Sequence, residues 1–145
     1  MSLIGVASAD SVWRGMEYYE DKMVASWNEA ADGTYDGVVE GSNGNSYVVH
    51  VDKIHPRKST CTCPFAAGRR VVCKHMIALY FTAEPKVAED LKKRVENWER
   101  EEEERAKQHY DDLRKYVNSL KKRELQMQLY DALVELEEIK NRRWY

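Results

Sequence analysis

Three cysteines fall within thirteen residues, as Cys61-Thr62-Cys63 and then, after nine more residues, Cys73-Lys74-His75. An odd number clustered this tightly cannot make a closed disulfide framework. Zinc takes four tetrahedral ligands, and thiolate and imidazole are its usual protein donors. The Cys-x-Cys pair supplies two sulfurs if its extended backbone bends them to one ion. The Cys-x-His pair at a helix start supplies the other two donors, with free backbone N–H groups beside the thiolate. Pro64 and Gly68 lie in the nine-residue spacer and let it close. Read instead as buried or redox thiols, the cysteines leave the aperiodic stretch 54–72 without an organiser. His50 and His55 are rival nitrogen donors. His50 projects from a predicted strand, His55 precedes Pro56 in the approach loop, and His75 alone has the spacing.

The segments around this cluster predict an α+β fold. Asp10 or Ser11 reads as the cap of a helix over 12–21, with Val12, Met16 and Tyr19 on one face and Trp13 and Tyr18 at its edges. Residues 22–28 alternate loosely, with Met23, Ala25 and Trp27 on one side, and Ala31-Asp32-Gly33 is a turn signal. Residues 34–40 and 46–51 read as strands joined through Asn43-Gly44, a strong hairpin signal. The expectation is a small antiparallel meander, one face covered by the N-terminal helix, with a zinc knuckle after it. From Lys74, the spacing of His75, Met76, Leu79 and Tyr80 predicts a helix that stops near Glu84-Pro85. Trp13, Trp27, Tyr35 and Tyr47 fall where a small domain needs bulky core fillers.

Beyond Pro85 there is neither glycine nor proline, and charge is dense. This predicts two helices, 86–118 and 121–141, broken at Asn118-Ser119. Leu125, Leu129, Leu133 and Leu136 form an apolar stripe whose candidate facing residues are Trp98, Tyr110, Leu113 and Val117. The domain reading is therefore 1–84 for the zinc-binding part and 85–145 for a charged helical hairpin. Trp144-Tyr145 would anchor back on these helices or enter a partner. No apolar run is long enough to cross a membrane. The N-terminus has no basic segment before a long apolar one, so a cytoplasmic, non-membrane protein is expected.

The net charge of −2 conceals an asymmetry. Between Asp52 and Glu84 there is no acidic residue, and Lys53, Arg57, Lys58, Arg69, Arg70 and Lys74 give +6 there, leaving −8 for the rest of the chain. A metal knuckle could gather these six cations onto one surface, where each phosphate they neutralise would release counterions. Competing fates are a contact with the acidic residues Glu96, Glu99 and Glu101–Glu104, or with a protein partner, or a merely solvated face. Phe65 and Tyr80 could stack on bases, but the core claims both first.

Cys61-Thr62-Cys63-Pro64 followed by Cys73-Lys74-His75-Met76-Ile77-Ala78-Leu79, after the strand Tyr47-Val48-Val49, resembles the SWIM zinc finger. That family carries Cys-x-Cys, a variable spacer and Cys-x-His, and occurs in bacterial proteins, helicases of the chromatin-remodelling type and plant transposases. Arg14-Gly15, Tyr18-Tyr19, Val38 and Gly41-Ser42 resemble the helix and strands that precede the finger in bacterial members, so the likeness covers about residues 10–83. It implies one structural zinc held by Cys61, Cys63, Cys73 and His75, in a module proposed to bind DNA or proteins. Four protein ligands leave no open position for a catalytic water.

Three functions follow as expectations. A nucleic-acid-binding module, with DNA favoured, would use the basic finger. A protein-interaction adaptor or homo-oligomer would use residues 85–145 and keep the zinc purely structural. Catalysis is not expected: the sequence holds no credible nucleophile–base pair, no phosphate-cradling glycine loop and no open metal position.

Overall fold

A computed structural model describes residues 2–142, so Trp144-Tyr145 lies outside the described residues. The contacts divide the chain into two compact units, one ending at Arg94 and the next beginning at Val95.

The first unit opens with a short helix α1 (Leu3–Val6) that composition did not announce; its Leu3 is completely buried. Helix α2 (Ala9–Glu20) starts earlier than expected because Ser8, not Asp10 or Ser11, is the cap: its hydroxyl accepts from the Ser11 N–H at 3.2 Å. Four antiparallel strands follow in simple meander order, β1 (Val24–Ala31), β2 (Thr34–Glu40), β3 (Ser46–Asp52) and β4 (Thr60–Cys61). The Asn43-Gly44 turn joins β2 to β3, with Gly44 at φ 77° as the turn requires. A 3₁₀ turn over Pro56–Lys58 and the short β4 lie inside the stretch that reads as loop. Helices α3 (Lys74–Ala83) and α4 (Pro85–Ser119) come next.

One face of the sheet is set by its register. Tyr35 lies opposite Val51, Gly37 opposite Val49 and Val39 opposite Tyr47; Val49 in turn pairs with Cys61. Side chains two apart share a face, so Tyr35, Val39, Val49, Val51 and Cys61, all buried, form one apolar surface. The helix that covers it is α3, not the N-terminal helix; α2 packs on the other side of α3. The composition of α3 explains this. His75 through Phe81 are all buried, seven consecutive residues, and a helix apolar all round belongs in the middle of a stack. Gly15 lets α2 approach α3 closely, since a Cβ there would lie 2.4 Å from Ile77 Cγ2. The core takes in Ala88 on α4, with Val87 and Leu91 packed beside it.

Of the proposed aromatic fillers, Tyr35 is buried, whereas Trp13 and Trp27 are exposed. Strand β1 is a sheet edge whose residues after Val24 are all exposed, so Trp27 has no second layer to enter.

In the second unit, α4 continues and α5 (Lys122–Arg142) follows. The two C-terminal helices form as expected, but no residue of α5 is buried. Leu129, Leu133 and Leu136 stay exposed, as do Trp98, Tyr110, Leu113 and Val117 that were to face them. Among the described residues the leucine stripe is therefore left uncovered.

Candidate metal centre

Each ligand position is built by a different local device. Cys61 ends β4 and projects from the same sheet face as Val49. Thr62 is the clamp: its N–H donates to the Val48 carbonyl at 3.1 Å, and its hydroxyl accepts from the Val48 N–H at 3.0 Å. The Cys-x-Cys pair is thereby fixed to β3, and Cys63, two residues on, comes back to the side of Cys61. The chain then folds into a tight turn, with the Cys63 carbonyl accepting from Ala66 and Ala67 at 3.1 and 2.9 Å. Gly68 takes φ 70° at its far end. Cys73 is the N-cap of α3, and His75 lies in its first turn.

The four side chains converge. Sγ of Cys61, Cys63 and Cys73 and a ring nitrogen of His75 all lie within 4.8 Å of one another, and all four residues are buried. His75 Nδ1 is 3.8 Å from the Cys61 sulfur and 3.9 Å from that of Cys73. A tetrahedron with metal–sulfur bonds of about 2.3 Å has edges of about 3.8 Å, so these separations suit a zinc ion. The other nitrogen, Nε2, is buried without a hydrogen-bond partner. The ring packs against Tyr47 at 4.7 Å and Tyr18 at 5.3 Å between centroids. With Nδ1 given to a metal, Nε2 keeps the proton, and the aromatic rings rather than an acceptor surround it.

The thiols share their protons unequally. The hydrogen bond from Cys61 leads in bringing the Cys73 thiol well below the ordinary thiol range against the effect of burial, with His75 and the Met76 N–H helping. The same shared proton, together with burial, pushes the Cys61 thiol up. Three adjacent buried thiols cannot all ionise by themselves. A dication removes that obstacle and takes their protons' place. The donor set and its burial fit one structural Zn²⁺ with no protein position left open.

The SWIM zinc finger family matches residues 47–84. The chain carries a SWIM zinc finger. The matched segment begins at Tyr47 and so leaves out Arg14-Gly15 and Tyr18-Tyr19, although the structure packs α2 directly on the finger helix α3. Comparison with curated proteins and with solved structures finds no match.

Neither rival histidine joins the finger's ligands. His50 Nδ1 lies 2.6 Å from Asp36 across the β2–β3 ladder, and His55 faces Asp52 at 3.4 Å. Asp52 is the buried anchor of the approach loop, accepting from the His55 and Ile54 N–H groups at 2.7 and 2.9 Å. Those bonds, the His55 one first, hold its carboxyl below the usual range. The Asp-x-x-His spacing was the signal for this anchor, and sequence reasoning passed over it.

The six cations of the finger do not share one surface. Lys53 Nζ is 2.5 Å from Glu84 Oε1, and the Tyr35 hydroxyl donates to the same oxygen at 2.5 Å. Lys74 Nζ sits 4.4 Å above the Tyr18 ring. Arg69 donates to the Phe65 carbonyl at 3.3 Å and lies 5.7 Å over that ring. Phe65 itself is half exposed, not core, while Tyr80 is buried. Arg57 and Arg70 come together from opposite ends of the knuckle to line one concavity of about 500 Å³, backed by Pro56, Val71 and Val72. Lys58 is exposed beside Arg57 on the 3₁₀ turn.

Proposed function

We propose that this chain is a nucleic-acid-binding module, with DNA the favoured ligand, in which a structural zinc holds a phosphate-binding surface in place. The observation that carries the reading is the Arg57–Arg70 concavity. Twelve residues separate the two arginines in sequence, yet they line one hollow with no acidic residue in its wall. Neither makes an ion pair among the described residues. Guanidinium groups that line one hollow without an ion-pair partner among the described residues suit bidentate phosphate contact. Lys58, exposed and next to Arg57 on the 3₁₀ turn, adds a third cation nearby in the chain. The reading has no catalytic step: the metal's ligands are all protein side chains, and zinc serves as a staple.

The test is binding of the zinc-loaded chain to duplex DNA, single-stranded DNA and RNA between about 50 and 200 mM salt. Each phosphate neutralised contributes about 0.9 to the slope of log K against log salt for a duplex. Arg57→Glu with Arg70→Glu is expected to flatten that slope by about two and to weaken binding throughout. An unchanged slope in this variant overturns the assignment.

A second reading has its own observation. The stripe Leu129, Leu133 and Leu136 on α5 is exposed along its length. Under this reading the C-terminal helices recruit a protein partner or a second copy, and the finger only staples the fold.

A further inference from the structure

Helices draw most of their stability from packing an apolar face, yet α5 packs on nothing. Among the described residues none of its side chains is buried, and it does not fold back along α4. Its stripe Leu125, Leu129, Ala132 and Leu136 advances by steps of four, three and four. The distal part of α4 carries a stripe with the same steps: Ala106, Tyr110, Leu113 and Val117. Every residue of both stripes is exposed. Such steps are those by which two helices interlock as a coiled coil. Run antiparallel, the stripes match layer by layer, Ala106 with Leu136, Tyr110 with Ala132, Leu113 with Leu129 and Val117 with Leu125. Each alanine then meets a larger side chain, as interdigitation requires.

The link between the helices opposes that match within one chain. Only Leu120 and Lys121 separate Ser119 from Lys122. The link is also tied at both ends. The Ser119 hydroxyl donates to the Tyr116 carbonyl at 2.7 Å, and the Leu120 N–H to the Val117 carbonyl at 3.2 Å. The Lys121 N–H donates to the Glu124 carboxylate at 2.7 Å. Packed helices lie about 8–10 Å apart, and a two-residue link is the shortest that joins a helical hairpin. Short links favour exchange of an element between copies.

Charge and area agree with exchange. Antiparallel overlap sets the run Glu101–Glu104 of one copy against the Lys140 and Arg142 end of α5 on the other, with Glu102 flanking Arg142. Their present contacts, Arg105 to Glu102 and Arg142 to Glu138, are exposed pairs within one helix turn, which water largely screens. Four acids against Arg105, and two cations against Glu138, leave the two ends opposite in sign. By symmetry the match occurs twice in a dimer. Burying both stripes on both copies removes roughly 1,000 Å² from water, the threshold of a specific interface.

We propose that the chain forms a two-fold dimer by helix exchange, in which α5 of each copy lies antiparallel along residues 106–117 of the other. The proposal rests on the second reading above and commits its uncovered stripe to one occupant, a second copy. Pairing of α5 with α5 alone would leave the α4 stripe in water, whereas exchange covers both stripes of both chains.

The test is sedimentation of the zinc-loaded full chain from about 1 to 300 µM, with bound zinc and far-ultraviolet circular dichroism as folding controls. The parent is expected to pass from monomer to dimer and stop there, because the exchange closes on itself. Leu113→Lys on α4 and Leu129→Lys on α5 should each weaken the dimer at least about thirty-fold with zinc content unchanged. Arg142→Glu should weaken it about three-fold, and Glu102→Arg added to it should restore it. A Gly-Ser-Gly insertion between Leu120 and Lys121 should give a monomer of unchanged helix content, since a longer link lets each α5 return to its own α4. A parent that stays monomeric, or that grows beyond a dimer, overturns the proposal. So does a dimer that survives Leu113→Lys, or one indifferent to the insertion. If the parent is monomeric, capture from a lysate by the parent and by the Leu129→Lys form decides the second reading separately: equal capture sinks it too, and unequal capture moves the stripe to a different protein.

Discussion

Gly15→Ala tests whether the zinc centre depends on how closely two helices approach. The new Cβ would stand 2.4 Å from Ile77 Cγ2, 2.5 Å from Ile77 Cβ and 3.0 Å from the Lys74 carbonyl oxygen. Ordinary van der Waals contact begins at 3.4 Å, so α2 and α3 must part by about 1 Å. Trimming Ile77 cannot relieve this, because its own Cβ and the backbone carbonyl are among the obstacles. Overpacking of this kind costs about 1–3 kcal/mol, and the fixed obstacles put it at the upper end. Alanine returns about 1 kcal/mol of helix propensity, leaving a net loss of about 2 kcal/mol. The same movement displaces Cys73 and His75 relative to Cys61 and Cys63, and metal distances tolerate only about 0.2 Å. Zinc affinity should therefore fall together with stability. Denaturant unfolding of the zinc-loaded protein gives the first quantity and competition with a chromophoric chelator the second. Gly44→Ala is the control. Its Cβ would meet nothing within 4 Å, so it should lose only about 1 kcal/mol for the left-handed φ of 77° and keep its zinc affinity. A Gly15→Ala protein as stable as the parent, with unchanged zinc affinity, would refute the close-approach argument.

Zinc removal should uncouple the stack. Chelation is expected to unfold at least residues 54–83, and the thermal midpoint should rise with free zinc, by the equivalent of about 2.7 kcal/mol at one hundred times the dissociation constant. A midpoint insensitive to zinc would show that the apolar core suffices. Glu84→Gln should cost about 1 kcal/mol at neutral pH, a figure discounted because Lys53 is partly exposed. Lys53 first and Tyr35 second hold the Glu84 carboxyl below its ordinary value of 4.5. Its stabilisation is therefore complete above that value and lost as pH falls through the lowered one, so parent and variant should converge in acid. A difference that persists there would place the effect elsewhere. Leu129→Lys with Leu133→Lys should leave the first unit's stability unchanged and shift any oligomer to monomer in sedimentation. A monomer in both proteins would remove the second-copy interpretation of the stripe.

How far the sequence could be read depended on the range of the interactions involved. The metal ligands were legible because Cys61, Cys63, Cys73 and His75 are a local pattern whose chemistry admits few alternatives. Strands β2 and β3 were legible because Asn43-Gly44 fixes the turn and the alternation fixes the face. The short β4 was not, because two residues, Thr60 and Cys61, carry no periodicity; pairing with Val49 and His50 makes them a strand. The layer order was misread because α2 and α3 are both apolar enough to lie on a sheet. Only the continuous burial from His75 to Phe81 shows that α3 is the middle layer. The partly buried Lys53–Glu84–Tyr35 cluster joins residues far apart in the chain and leaves no local sequence trace.

The charge pattern shows most clearly why a count of cations does not define a binding surface. Six positive residues without an intervening acid looked like one patch, yet Lys53 is engaged by Glu84 and Lys74 lines a different cavity. Arg69 rests on Phe65, and Arg57 and Arg70 meet in a hollow of their own. Single substitutions should therefore separate into two behaviours. Arg70→Glu is expected to lower duplex affinity and reduce its salt dependence by about one unit of slope while leaving stability within about 0.5 kcal/mol of the parent. Lys53→Gln should do the reverse, because its ammonium neutralises a carboxylate that also accepts from the 4%-exposed Tyr35. Removing it leaves Glu84 without its cation, so stability falls while the salt slope stays the same. If both substitutions reduced the slope equally, the finger would be acting as a diffuse positive field, and the Arg57–Arg70 hollow would have no special standing.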